Sequence, residues 1–178
     1  RSEGRDEVDV ILDLSLAEDL ETTFIGEFLN VGDDGVAELL RHDAGVVALS
    51  DAGAHLIFMC EAGYGLHFIA HWIRERGDFD IAEGVRRLTS HPAGLYGIKD
   101  RGRIEVGAYA DMILFDFESV GVLPNEQVSD LPGGGPRTVR GAKGLKAVFV
   151  NGTQVHDGET YVAHEQGPGM VLDSFDRS

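Results

Sequence analysis

The spacing of hydrophobic positions in the first half of the chain predicts helices that alternate with short strands. Apolar residues recur at helical spacing over Asp6–Leu20 and again over residues 36–41, and Asp6 is suited to cap the first helix. Residues Thr22–Phe28 are largely β-branched or aromatic, and Val46–Leu49 is an unbroken apolar run, typical of a strand buried on both faces. The order helix, strand, helix, strand is typical of a parallel sheet covered by helices.

A helical region is predicted after the second strand. An irregular stretch rich in glycine, residues 57–65, is expected to fold over a site. Leu66–Arg76 then carries a helical apolar face, Asp80 caps a second helix over Ile81–Leu88, and Ser90 opens a short third helix. The apolar face of the first of these helices consists of Phe68, Ile69, Trp72 and Ile73. We expect these helices to pack against the sheet.

The last part of the chain is predicted to be rich in β-structure. Between two of its apolar runs, Asn151-Gly152 is a strong signal for a type I′ hairpin, because both central positions of that turn need positive φ. A boundary near residues 97–102 divides the chain into residues 1–98 and a β-rich domain, residues 99–178. The predicted β runs are Arg103–Val106, Met112–Phe117, Ala147–Val150 and Thr153–His156.

Composition narrows the functional classes. The 178 residues include 15 basic and 31 acidic side chains, so the formal charge of −16 disfavours binding to nucleic acid or to an anionic membrane. The single cysteine, Cys60, excludes an internal disulfide and a cysteine-based zinc cluster, and a cytoplasmic location is expected. No apolar run reaches the roughly 18 residues that indicate a membrane helix.

The candidate chemistry lies directly after the second predicted strand. Asp51 follows Val46–Leu49, and His55 stands four residues further on, beyond three small residues. A carboxylate at the carboxyl end of a buried parallel strand lies where α/β enzymes place reacting groups. The alternative is that Asp51 caps a turn and that His55 is an ordinary surface histidine.

These residues resemble a known motif. Ser50-Asp51-Ala52-Gly53-Ala54-His55 resembles the eighth-strand motif of the amidohydrolase superfamily. The passage Thr89–Gly97, followed by Asp100–Ile104 and Gly107–Asp116, is similar to the exit of those enzymes from their barrel into a small β-domain. With Val150-Asn151-Gly152, the resemblance extends to the branch of N-acyl-D-amino-acid deacylases, also called D-aminoacylases.

The resemblance implies an α/β fold in which the C-terminal portion of a (β/α)8 barrel precedes a small, composite β-sandwich domain. It also implies that Asp51 is both a metal ligand and the carboxylate that moves a proton from the attacking water to the leaving amine. His55 matches a position that contacts the substrate carboxylate. The zinc-binding histidines of the superfamily's earlier strands have no counterpart in these residues, and one carboxylate with one histidine is too few for catalytic zinc.

We therefore expect a C-terminal part of a zinc-dependent amidohydrolase that acts on N-acyl (D-)amino acids or related compounds and is inactive by itself. Its expected partners are a small amide substrate and either the missing N-terminal barrel segment or a second copy of the chain. The alternatives are a non-catalytic binding or assembly domain and a cyclic-amide hydrolase of the same superfamily.

Other candidate residues are explained more simply. His67 and His71 have a spacing that can bind zinc, but their apolar neighbours favour a role in packing. Gly133–Gly135 lacks the lysine and helix of a phosphate-binding loop, and Asp111 is expected to form a turn. Cys60, His42, His91, His156 and His164 have no partner in the sequence that indicates chemistry.

Overall fold

Helix α1 and the start of α2 make up the regular structure of the first part of the chain. The computed structural model describes residues 4–24, 26, 29–50, 54, 57 and 59–175 and separates into residues 1–36 and residues 37–178. The bounds of α1 are Glu7–Ala17, and those of α2 are Asp33–Arg41. The Asp6 carboxylate accepts the N–H groups of Val8 and Asp9 at 2.9 and 3.4 Å, which confirms the predicted cap.

Three further helical stretches confirm the prediction for residues 66–96. Helix α3 (Tyr64–His67) runs directly into a π-helix (Phe68–Glu75), and α4 (Ile81–Leu88) and α5 (Ser90–Tyr96) follow. The Asp80 carboxylate caps α4 by accepting the N–H of Glu83 at 2.8 Å. No helix in the described part of the chain is long and apolar enough to cross a membrane.

The core of residues 37–178 is formed around the π-helix. Its apolar face is buried, and the Phe68 ring lies 5.3 Å from that of Phe79. Burying one such side chain stabilises the fold by about 1.5–3 kcal/mol. Helix α4 approaches closely because Gly84 has no side chain, since a Cβ there would lie 2.1 Å from Cδ1 of Ile73. The predicted face of Phe68, Ile69, Trp72 and Ile73 is thus confirmed as core.

Arg87 connects α4 to the end of α2. Its side chain is only 4% exposed, and Nε donates to the Glu83 carboxylate at 2.7 Å. Nη1 and Nη2 donate to the carbonyls of His42 and Arg41 at 2.9 and 2.8 Å. The last carbonyls of a helix lack partners within the helix, so this buried cation satisfies two acceptors at the C-terminus of α2.

We expect the stability of this connection to depend on acid pH through Glu83. Hydrogen bonds from Arg86 and Arg87 lower the pKa of Glu83 from 4.5 to about 2. Because the folded value is the lower one, the stabilisation is complete above pH 4.5 and is lost as the pH falls towards 2. At pH 7, Glu83→Gln should lower the free energy of unfolding by about 1 kcal/mol.

The measurement for Glu83 is urea unfolding of the wild type and of Glu83→Gln at several pH values. The difference between the two proteins should shrink below pH 4.5. A difference that stays constant down to pH 2 would show that the carboxylate charge is not what stabilises this connection.

The β-structure consists of two antiparallel sheets. Strands β1 (Met112–Phe115), β4 (Leu145–Val150) and β5 (Thr153–His156) form the first sheet in the order β1-β4-β5. Strands β2 (Gly121–Val128) and β3 (Arg137–Lys143) form the second. Asn151 and Gly152 have φ of 49° and 79°, which confirms the type I′ turn between β4 and β5.

The described residues of the two strands predicted in the first half of the chain are irregular. Residues 46–49 form no strand, and Leu49 is 86% exposed with a φ of 63°. Residues 22–24 and 26 are also irregular, and residues 25, 27 and 28 lie outside the described residues. A strand needs a hydrogen-bonded neighbour, and the described residues provide none for these runs.

Two further predictions need correction in the last part of the chain. Residues 103–106 are irregular and lead into a turn instead of forming a strand, and Ile104 is 91% exposed. Strands β2 and β3 were not predicted, because Pro124 and Gly141 disfavour strand interiors. The mixture of helices and sheets in the described chain nevertheless agrees with the predicted α/β composition.

Candidate functional site

The predicted motif at residues 50–55 begins at the wall of a cavity. Asp51 and His55 lie outside the described residues. Leu49 and Ser50, which directly precede Asp51 in the sequence, line a cavity of about 360 Å³. Because Leu49 and Ser50 lie so close in sequence to the motif, the other residues that line this cavity are the candidates for a site.

Besides Ser50, four polar side chains from three parts of residues 37–178 line this cavity. Glu61 comes from the segment after the motif, Tyr64 and His67 from α3, and Arg140 from β3. The cavity therefore combines a carboxylate, a phenol, an imidazole and a guanidinium. Such a set can orient a polar ligand by hydrogen bonds and by charge.

Arg140 lines the cavity and lies next to an irregularity in the pairing of β2 with β3. The register of β2 with β3 shifts between Val122 and Asn125, around Pro124, which has no N–H to donate. The Leu123 carbonyl accepts Nε of Arg140 at 3.1 Å, which fixes the arginine stem. Nη1 then donates to the Glu61 carboxylate at 3.3 Å.

His67 and His71 stack instead of converging on a common point. Their ring centroids are 5.2 Å apart with an interplanar angle of 15°, and the His71 ring also meets Trp72 edge-on at 4.9 Å. Nδ1 of His71 lies 3.4 Å from the Glu75 carboxylate. Hydrogen bonds from Arg74 and then His71 lower the pKa of Glu75. This geometry favours the packing role that the sequence indicated.

The described residues do not fit the zinc that the resemblance implies. Over residues 4–175, apart from the undescribed gaps, no group of three or more His, Cys, Asp or Glu side chains is arranged to hold a metal. A catalytic zinc takes about three protein ligands. Asp51, the predicted ligand, lies outside the described residues, so the residues that the structure describes do not form a metal centre by themselves.

Asp111 lies directly before β1 and, beyond the turn that the sequence predicted, contacts distant parts of the chain. Its carboxylate accepts the N–H of Asn151 at 2.8 Å and pairs with Arg101. Arg101 also donates to the Asn151 side chain at 3.0 Å and lies 4.3 Å from the centre of the Tyr109 ring. This network holds the hairpin between β4 and β5 against the start of the β-rich region.

The other single candidates have local contacts. Nδ1 of His42 and Nδ1 of His156 each accept the backbone N–H two residues on, at 3.1 and 3.0 Å. His164 contacts the Gln154 carbonyl at 2.8 Å. Cys60 is buried, as expected for a packing thiol, and Gly133–Gly135 form turns between β2 and β3.

A sequence model described as the amidohydrolase family matches residues 13–156. The chain belongs to the amidohydrolase family. Two deacylases of Alcaligenes xylosoxydans xylosoxydans are similar to it. N-acyl-D-aspartate deacylase is 32% identical over 100 residues, covering 56% of this chain and 18% of that protein. N-acyl-D-glutamate deacylase is 33% identical over 104 residues, covering 58% and 19%.

A solved amidohydrolase shares the fold of much of the chain. The crystal structure of N-acyl-D-glutamate deacylase from Bordetella bronchiseptica, complexed with zinc and a phosphonate inhibitor, superposes with a TM-score of 0.51 at 24% identity. The match covers 70% of this chain and 24% of that protein. The resemblance seen in the sequence is thus confirmed, and the chain spans about a fifth of the length of the curated relatives it matches.

The sequence missed three residues of the candidate site. Glu61 and Tyr64 lie within residues 57–65, the stretch predicted to fold over a site, but the sequence did not mark either of them as a site residue. Nothing in the sequence indicated Arg140, because its strand was not predicted and Arg140 lies 79 positions from Glu61 in the sequence. Only the tertiary structure brings these residues to Ser50.

Proposed function

We propose that this chain forms the C-terminal part of a metal-dependent amidohydrolase that hydrolyses the amide bond of N-acyl amino acids, with N-acyl-D-amino acids as the preferred class. The observation that carries the proposal is the family match over residues 13–156. The names of the two Alcaligenes relatives, N-acyl-D-aspartate and N-acyl-D-glutamate deacylase, support the substrate class. Because the chain spans about a fifth of those relatives, the activity belongs to the longer protein.

The proposed architecture assigns residues 1–98 to the last strands and helices of a (β/α)8 barrel and residues 99–178 to a small, composite β-sandwich domain. Strand β1 lies at the edge of its sheet, and its Ile113 and Leu114 side chains are 48% and 58% exposed. An apolar edge strand is a site for pairing with another strand. The rest of the polypeptide, or a second copy of the chain, would cover it.

In this proposal Asp51 is the general base. It takes a proton from the water that attacks the amide carbonyl and delivers it to the leaving nitrogen, so one carboxylate serves both halves of the reaction. His55 contacts the substrate carboxylate. A divalent zinc would polarise the carbonyl in the complete enzyme, with Asp51 among its ligands and the others outside this chain.

The test compares the isolated 178-residue chain with the full-length protein. N-acetyl-D-amino acids, their L-enantiomers and added zinc are supplied to both, and release of the free amino acid is measured. We expect turnover by the full-length protein, faster for the D-enantiomer, and none by the isolated chain. Zinc-dependent turnover by the isolated chain would refute the assignment of the ligands, and an inactive full-length protein would refute the proposed reaction.

A further inference from the structure

The cavity beside Ser50 contains one permanent cation among its described lining residues. Its charged or titratable members are Arg140, Glu61, His67 and Tyr64. Arginine stays protonated at any physiological pH, whereas a histidine changes its charge near neutrality. In a protein with a formal charge of −16, an anionic ligand needs such a local cation to bind.

Arg140 is held in a position to bind a ligand. The bond from Nε to the Leu123 carbonyl fixes its stem, and its side chain is 24% exposed. The local sequence explains the arrangement, since Pro124 interrupts the ladder of β2 and β3 directly beside the Asn125–Arg140 pair. A guanidinium has five N–H donors, and the contacts with described residues use Nε and Nη1.

The present partner of Arg140 is one that a ligand can replace. The Glu61 carboxylate is 56% exposed and meets Nη1 at 3.3 Å through a single oxygen. A single contact to an exposed carboxylate is weak, whereas a carboxylate that meets the guanidinium with both oxygens forms two parallel bonds. An entering carboxylate therefore gains more from Arg140 than Glu61 does.

We propose that Arg140 binds the carboxylate of the N-acyl amino acid substrate in place of Glu61, so that the β2–β3 hairpin selects anionic substrates. This inference rests on the proposed function, and it makes the β-rich region part of the substrate site. The role proposed for His55 is compatible with it, since one carboxylate has about four acceptor positions. Glu61 then lowers affinity, because it competes for the same guanidinium.

The experiment uses the full-length protein and two ligands, an N-acetyl-D-amino acid and its uncharged carboxamide. Binding is measured by calorimetry and hydrolysis by steady-state kinetics for Arg140→Met, Glu61→Gln and the control Arg137→Met. Arg137 lies on the same strand but pairs with Asp130 at 2.6 and 2.7 Å, and it does not line the cavity. All three variants are checked by urea unfolding.

For the acid, we expect Arg140→Met to raise Kd and KM about 10- to 100-fold with little change in kcat, because the carboxylate is remote from the amide that reacts. Glu61→Gln should lower Kd for the acid about 3- to 10-fold, by removing a competing and repelling charge. For the carboxamide, each variant should stay within about twofold of the wild type, as should Arg137→Met for both ligands.

The outcomes separate this inference from the proposed function. Equal affinity of the wild type for the acid and the carboxamide would overturn the inference about Arg140. Weaker binding of the acid by Glu61→Gln would also overturn it, because that result is expected if the ion pair between Glu61 and Arg140 is only structural. Absence of binding of either ligand would overturn both proposals. Arg140-dependent binding of the acid without hydrolysis would support the carboxylate site and refute the reaction.

Discussion

Replacing Arg87 by methionine is expected to lower the free energy of unfolding by about 2–3 kcal/mol, because one buried guanidinium supplies three hydrogen bonds that methionine cannot make. The methionine fills similar space but leaves the carbonyls of Arg41 and His42, at the end of α2, without their donors. The Glu83 carboxylate also loses one of its two arginine partners. Urea unfolding followed by the fluorescence of Trp72, the single tryptophan, measures the effect.

The matched control for this prediction is Arg86→Met. Arg86 lies beside Arg87 on α4 and binds the same carboxylate at 2.6 and 2.8 Å, but its side chain is 43% exposed. An ion pair at an exposed position contributes little to stability, so this variant should remain close to the wild type. Equal losses in the two variants would mean that the contacts of Arg87 with α2 contribute nothing to stability.

Asp51→Asn in the full-length protein is expected to lower kcat by about a hundredfold or more, with the fold retained. The amide of asparagine has nearly the shape of the carboxylate, but it cannot accept the proton of the attacking water. Hydrolysis of an N-acetyl-D-amino acid at saturating substrate and zinc is the measurement. Unfolding curves that match the wild type are required before the loss is assigned to chemistry.

Glu126→Gln is the control for Asp51→Asn. It makes the same change from carboxylate to amide at an exposed position of β2 that does not line the cavity beside Ser50. It should leave kcat within about twofold of the wild type, since an exposed carboxylate that does not line the cavity is not expected to contact the transition state. If Asp51→Asn behaves as this control does, Asp51 is not the general base.

Local signals in the sequence were sufficient for the helices and for one turn. The caps at Asp6 and Asp80 and the apolar face of residues 68–73 act over a few residues, so they can be read without knowing the fold. The same holds for Asn151-Gly152, where positive φ at both positions specifies the hairpin. Each of these features depends only on contacts between residues that are close together in the sequence.

Strands depend on neighbours that the local pattern does not reveal. The apolar run at residues 46–49 has strong β character but no strand beside it among the described residues, and it remains irregular. Strands β2 and β3 form despite Pro124 and Gly141, because each supplies the hydrogen-bonding partner of the other. In both cases the presence or absence of a pairing strand, and not the β propensity of the residues, decides whether a strand forms.

The candidate site divides in the same way. The motif around Asp51 and His55 was recognisable from the sequence, and the family it indicated is confirmed, although the structure does not describe these two residues. The approach of Arg140 to Glu61 joins positions 79 residues apart, across a strand that was not predicted. The sequence by itself determined the helices, the hairpin turn and the family, because these follow from contiguous residues. Only the tertiary structure decided which distant charges meet, because chain folding, not sequence spacing, sets those distances.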